Sequence, residues 1–339
     1  MILSVSRGKT ARSAASVIAM SCLAASLACG PEDYQKPIQD FQDASNSVIS
    51  ADRTFLANEN TIEQNKFIDQ MVFEQKPLGP GDIDRQTIIT PEEIRLRTAA
   101  LDTLSKYTVN LVALAQGKPG KAIGEDTRTL STNLQGLAKD AGARFNPDKS
   151  QAAFNTRFSG IAGAAASAIG AVAQLIVEHK ARVEIEKSVT ATDHEVTELI
   201  NLISDDANGS YLRQKNQLSI YGVQLYKDYS CEITVADGSP APAEGVQCPR
   251  REKGVQADPI ALLSLADRIK SFRVQQTTLE NANPGPAIDK MRKAHEDLVA
   301  YVTHKNPKTL QQLLSSVQGF LEAAQPLGQA CQDLVKASK

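Results

Sequence analysis

An all-α fold, an elongated multi-helix bundle, is what this 339-residue sequence predicts, and three observations carry the prediction. The composition favours helices, with no Trp, 5% aromatics and frequent Ala, Leu, Gln and Lys. Apolar side chains recur three and four positions apart over long stretches. Caps and breakers delimit those stretches repeatedly, and no solenoid-type repeat period is present.

The chain opens with Arg7, Lys9 and Arg12 and no acid, followed by an uncharged run from Ser13 to Ala28. A basic segment followed by an apolar one is the grammar of a secretory signal. The run is shorter than the ~20 residues an untilted helix needs to cross the hydrocarbon core. Residues 1–28 therefore read as a removable signal peptide, and residues 29–339 as the exported body. At the junction stands Ala25-Ser26-Leu27-Ala28-Cys29-Gly30. This segment resembles the lipobox of bacterial lipoproteins, in which small or apolar residues lead to an obligatory Cys. The resemblance implies that Cys29 is the lipidation site, its thiol carrying diacylglycerol and its new amine a further acyl chain such as palmitate. Two or more chains are what stable anchoring requires. The absence of Asp directly after Cys29 implies sorting to the outer membrane, facing the periplasm. Cys22 is a rival acceptor, but its use leaves Leu23 to Leu27 on the mature chain. An ordinary signal cut after Ala28 is the other alternative, because Ser26 and Ala28 also suit that enzyme.

In the body, Tyr34, Ile38, Phe41, Val48 and Phe55, with Ser45 filling one step, form a single helical stripe. It resumes at Ile62, Phe67, Ile68, Met71 and Val72 and stops at Pro77-Leu78-Gly79-Pro80-Gly81. Thr90-Pro91-Glu92-Glu93 then supplies a capping hydroxyl, a Pro in the first turn and a Glu three residues on, the signature of a helix start. Ile94, Leu101, Leu104, Leu111 and Ala115 line that helix until Gly117. A further helix carries Leu130, Leu134, Leu137 and Ala141 and closes before Asn146-Pro147.

The longest helical signal runs from about Ser150 toward Val189, restarts at Thr192-Asp193 and continues to Tyr226, with a kink or turn expected at Asn208-Gly209. Glu232-Ile233-Thr234-Val235 alternates like a strand, Asp237-Gly238-Ser239-Pro240 turns, and Gly245-Val246-Gln247 returns to Cys248. The expectation is a small disulfide-tied loop or hairpin at 231–248, inside an irregular insertion at 231–256. Export permits the disulfide, and Cys231 with Cys248 is the natural pair. Cys331, in the terminal helix, reads as a small buried hydrophobe. Asp258-Pro259 opens the next helix, Ile288 to Val302 mark another, and Asn306-Pro307 starts the last, with Pro326 a point of interruption.

Between Arg157 and Glu178 the chain is uncharged and rich in Ala and Gly. Its length suits a membrane span. Its small side chains suit a central bundle helix better. Entry of the 158–177 helix into a bilayer, as in pore-forming helical proteins, is the sharper alternative.

Catalytic signatures are missing. His179, His194, His295 and His304 stand beside polar neighbours and read as solvated; His194-Glu195 lacks the second His of a zinc helix. Asp205-Asp206-Ala207-Asn208-Gly209 lacks the ligand spacing of a calcium loop and reads as a helix end. Ser159-Gly160-Ile161-Ala162-Gly163 has no basic residue for phosphate. No cofactor and no metal site is expected. Loss of residues 1–28 removes three basic residues and no acid from a chain of 37 basic and 39 acidic residues, leaving a net negative body unsuited to nucleic acid. The expected function is that of a non-enzymatic, membrane-anchored envelope lipoprotein, with the helical body an interaction or structural module for a protein partner. The alternatives are membrane insertion through 158–177, and an enzyme or ligand carrier with a pocket between helices.

Overall fold

The computed structural model describes residues 35–74, 76–116, 181–237 and 259–337. They form six helices: α1 (Gln35–Phe73), α2 (Pro91–Ala115), α3 (Ala181–Asp237), α4 (Pro259–Asn281), α5 (Gly285–His304) and α6 (Pro307–Ala337). The all-α bundle is thus as the sequence predicts. Helix α1 packs against α2, α3, α5 and α6; α3 packs against α1, α2, α4 and α5; α6 also lies against α4 and α5.

The α1 stripe explains this packing. Phe41, Ser45, Val48, Asp52, Phe55, Glu59, Ile62 and Asp69 are all buried, and they follow the four-three spacing that keeps side chains on one helix face. Phe41 meets Phe320 of α6 with ring centroids 5.7 Å apart, and Phe55 meets Tyr211 of α3 at 6.3 Å. The helix runs unbroken to Phe73. The loop beyond it is pinned back by Asn60, whose Oδ1 accepts from the Ile88 and Ile89 amides at 2.9 and 3.0 Å while its amide donates to the Ile89 carbonyl at 2.8 Å.

Helix α2 starts where its cap residues require. The Glu93 amide donates to Thr90 Oγ1 at 3.3 Å and the Thr90 amide to Glu93 Oε2 at 2.9 Å, so two amides without helical partners are satisfied reciprocally. Helix α6 is opened by Asn306, whose Oδ1 accepts from the Thr309 amide at 3.0 Å, with Pro307 in its first turn. Lys305, between α5 and α6, is left-handed at φ 40°, and its amide donates to the Tyr301 carbonyl at 2.8 Å.

Three expectations are corrected. Helix α3 passes without interruption through Thr192-Asp193 and Asn208-Gly209, and Asp205-Asp206 lies in mid-helix. It also continues to Asp237, so the four residues Glu232 to Val235 that alternate like a strand are helical. Extending a formed helix fixes one residue per hydrogen bond, and a four-residue alternation is too short to compete with that. Pro326 does not interrupt α6. It occupies the solvent side, while Leu313, Val317, Phe320, Ala324, Leu327 and Leu334 bury the opposite face and offset the roughly 3 kcal/mol that an internal Pro costs.

Cys29, the expected helix at 130–141, the apolar segment 158–177, His179 and the turn and Cys248 of the expected hairpin lie outside the described residues.

Candidate functional site

The polar residues on the α1 stripe organise two constellations. In the first, Arg97 of α2 donates through Nε to both carboxylate oxygens of Asp206 on α3, at 2.8 and 3.0 Å, with both side chains almost fully buried. Farther along α3, Arg213 pairs with Glu59 of α1 and donates to Ser210 Oγ at 2.8 Å. Asp52 of α1 lies in the same field, 2% exposed, and its Oδ1 finds no hydrogen-bond partner among the described residues. Burial raises the Asp52 carboxyl well above the usual carboxylate range, with Asp206 adding to the effect and Arg97 opposing it. Burial likewise raises Glu59 and Asp206, against the pull of Arg213 and Arg97 respectively. Glu93, held in the α2 cap, adds negative charge toward Asp206 and Arg213. Two guanidinium groups do not balance this set, and a proton held on Asp52 removes part of the excess. The cluster joins α1, α2 and α3 through buried ion pairs, the chemistry of a tie between helices.

The second constellation surrounds a cavity of about 270 Å³ between α1, α3 and α4. Asp69 sits in its wall as a buried carboxylate, accepting from the Tyr221 hydroxyl and paired with Arg268. Burial pushes the Tyr221 phenol up to about 12, which keeps its O–H a donor. Phe272 forms another wall. A Cβ on Gly222 would overlap its Cζ, so glycine lets the ring lie against the α3 backbone. The ring also stands edge-on to Tyr221, centroids 6.2 Å apart. Ser271 and Gln275 donate to the Ala337 carbonyl at 3.4 and 2.8 Å, fixing the α4 wall to the end of α6. Asn65 and Ile68 complete the described lining.

His295 corrects another expectation: it is 1% exposed rather than solvated. Its ring stands edge-on to Tyr107 of α2, centroids 5.9 Å apart, and its Nε2 lies 3.4 Å from Asp193 Oδ1 of α3. The contact holds the Asp193 carboxyl below its ordinary range. His194 and His304 are exposed, as expected.

Of the residues the sequence singles out, Cys231 is buried near the end of α3, and its expected partner Cys248 lies outside the described residues, as does Cys29. Cys331 is a buried free thiol that burial pushes up to about 12, with Asp52 adding to the shift. Among the described residues no group of three or more His, Cys, Asp or Glu side chains is placed to hold a metal ion. No described helix is long and apolar enough to cross a membrane. The cavity of Asp69, Tyr221 and Arg268 escapes the sequence reading, although one signal for it exists: Asp69 falls on the buried α1 stripe, where a carboxylate requires a partner.

Comparison of the chain with protein-family models, with curated proteins and with solved structures found no match.

Proposed function

We propose that this chain is a non-enzymatic bacterial envelope lipoprotein, tethered through lipid on Cys29 to the outer membrane and facing the periplasm, whose helical body is an interaction or structural module for an envelope protein. The observation that carries the reading is the order of its parts: a basic and apolar leader ending in Ala25-Ser26-Leu27-Ala28-Cys29, followed by a body of long, mutually tied helices. With 57 residues, α3 is about 85 Å long at 1.5 Å per residue, a length suited to holding a binding face away from a membrane surface. The interior charges support the same reading, because Arg97–Asp206 and Arg213–Glu59 join helices to one another. A disulfide between Cys231 and Cys248 belongs to this reading, since an exported chain folds where thiols oxidise.

Membrane fractionation of cells producing the native chain or its Cys29→Ser variant, combined with crosslinking in intact cells, tests the proposal. The native chain is expected in the outer-membrane fraction, crosslinked to a discrete envelope protein, and the variant is expected to leave the membrane. Equal membrane recovery of the two forms contradicts the tether, and the absence of any discrete crosslinked species contradicts the interaction role.

A further inference from the structure

We propose that the α1–α3–α4 cavity binds a free α-amino acid with an apolar side chain, held as its zwitterion between Asp69 and Arg268. The inference goes beyond the envelope reading and does not depend on it.

Charge is the first argument. Asp69 and Arg268 bring one negative and one positive group to the same cavity wall, so the described lining is neutral in sum and bipolar in detail. A simple carboxylate approaching Arg268 meets the repulsion of Asp69, and a simple cation approaching Asp69 meets Arg268. A ligand with an ammonium and a carboxylate on one carbon satisfies both.

Placement is the second. Asp69 is buried, its side chain 5% exposed, and held by the Tyr221 hydroxyl, so the acceptor for an ammonium is fixed before binding. Arg268 stands at the rim, its side chain 36% exposed, where it is able to swing from Asp69 to an entering carboxylate. A guanidinium presents five N–H donors, enough for a two-pronged hold on a carboxylate beyond any contact with Asp69.

Shape is the third. Phe272, locked over Gly222 and against Tyr221, and Ile68 give an otherwise polar lining one small apolar side beside the charged pair. A cavity of about 270 Å³ lies just below the range that holds drug-sized ligands, which fits a small metabolite.

Isothermal titration of the purified chain tests the proposal with L-leucine and L-phenylalanine as probes, N-acetyl-L-leucine and L-leucinamide as controls, and Arg268→Met and Asp69→Asn as variants. Saturable one-to-one binding of at least one amino acid is expected, with both blocked forms weaker by about tenfold or more, as loss of a charge-assisted hydrogen bond implies. Arg268→Met, at the rim, should weaken binding similarly while keeping the native helical circular dichroism. That variant decides the matter even if Asp69→Asn fails to fold. No saturable binding of either amino acid into the millimolar range overturns the proposal and leaves the pair a structural tie. Equal binding of N-acetyl-L-leucine, or undiminished binding to Arg268→Met, overturns it as well.

Discussion

Asp52 shows how much a single carboxyl decides in this interior. Its folded form holds the proton more tightly than the unfolded chain does, because burial and Asp206 disfavour the anion. Its contribution to stability is therefore fully present below the unfolded value of about 3.8 and is lost as pH rises toward the folded one. Asp228 obeys the same sign: burial pushes it up to about 6, so its contribution fades between about 3.8 and 6. Asp52→Asn, which cannot ionise, should raise the urea midpoint at pH 8, where folding of the native chain must either take up a proton or bury a charge at Asp52, and the gain should close toward pH 4. Equal midpoints of the two forms at both pH values would show that Asp52 binds its proton alike in the folded and unfolded chains. The Arg97–Asp206 pair makes the opposite case. Arg97→Met leaves a buried carboxylate without its partner and should cost about 3–5 kcal/mol, whereas Arg97→Met with Asp206→Leu should recover most of that loss, both readable by chemical denaturation.

Helix starts were the most legible elements, since the chemistry of a cap is local. Thr90, Pro91 and Glu93 specify the beginning of α2 without reference to anything distant, and Asn306-Pro307 does the same for α6. Thr90→Ala should accordingly cost about 1 kcal/mol in thermal or urea unfolding, the ordinary loss of an N-cap. Features set by a partner helix were not legible. Gly222 reads from sequence as a mild helix weakener, yet it is the surface on which Phe272 rests. Gly222→Ala improves intrinsic helix propensity but should destabilise by about 1–3 kcal/mol through overpacking, and a stabilised variant would refute the tight contact. Asn208-Gly209 misled because local preference pointed to a break, while burial of the neighbouring Ala207, Ser210 and Tyr211 keeps α3 packed and continuous there.

At the scale of the whole molecule, the spacing of apolar residues was enough to read an all-α bundle, since a stripe that wide has to be buried against other helices. The same spacing already contained the interior charges, because Asp52, Glu59 and Asp69 stand on the steps of the α1 stripe. What it withheld was their surroundings: Arg213 and Arg268, on other helices, pair with Glu59 and Asp69 through the fold, while Asp52 feels the Arg97 charge without pairing with it. His295 was misread similarly, its polar sequence neighbours concealing a ring enclosed by α2 and α3. Intact-mass analysis of the mature amino terminus, with and without globomycin, tests the proposed lipid tether at Cys29. A chain beginning at Cys29 with diacylglycerol and a further acyl group is expected, with accumulation of the uncleaved form under globomycin. A native chain beginning at Met1, or at an unmodified Cys29, would contradict the tether.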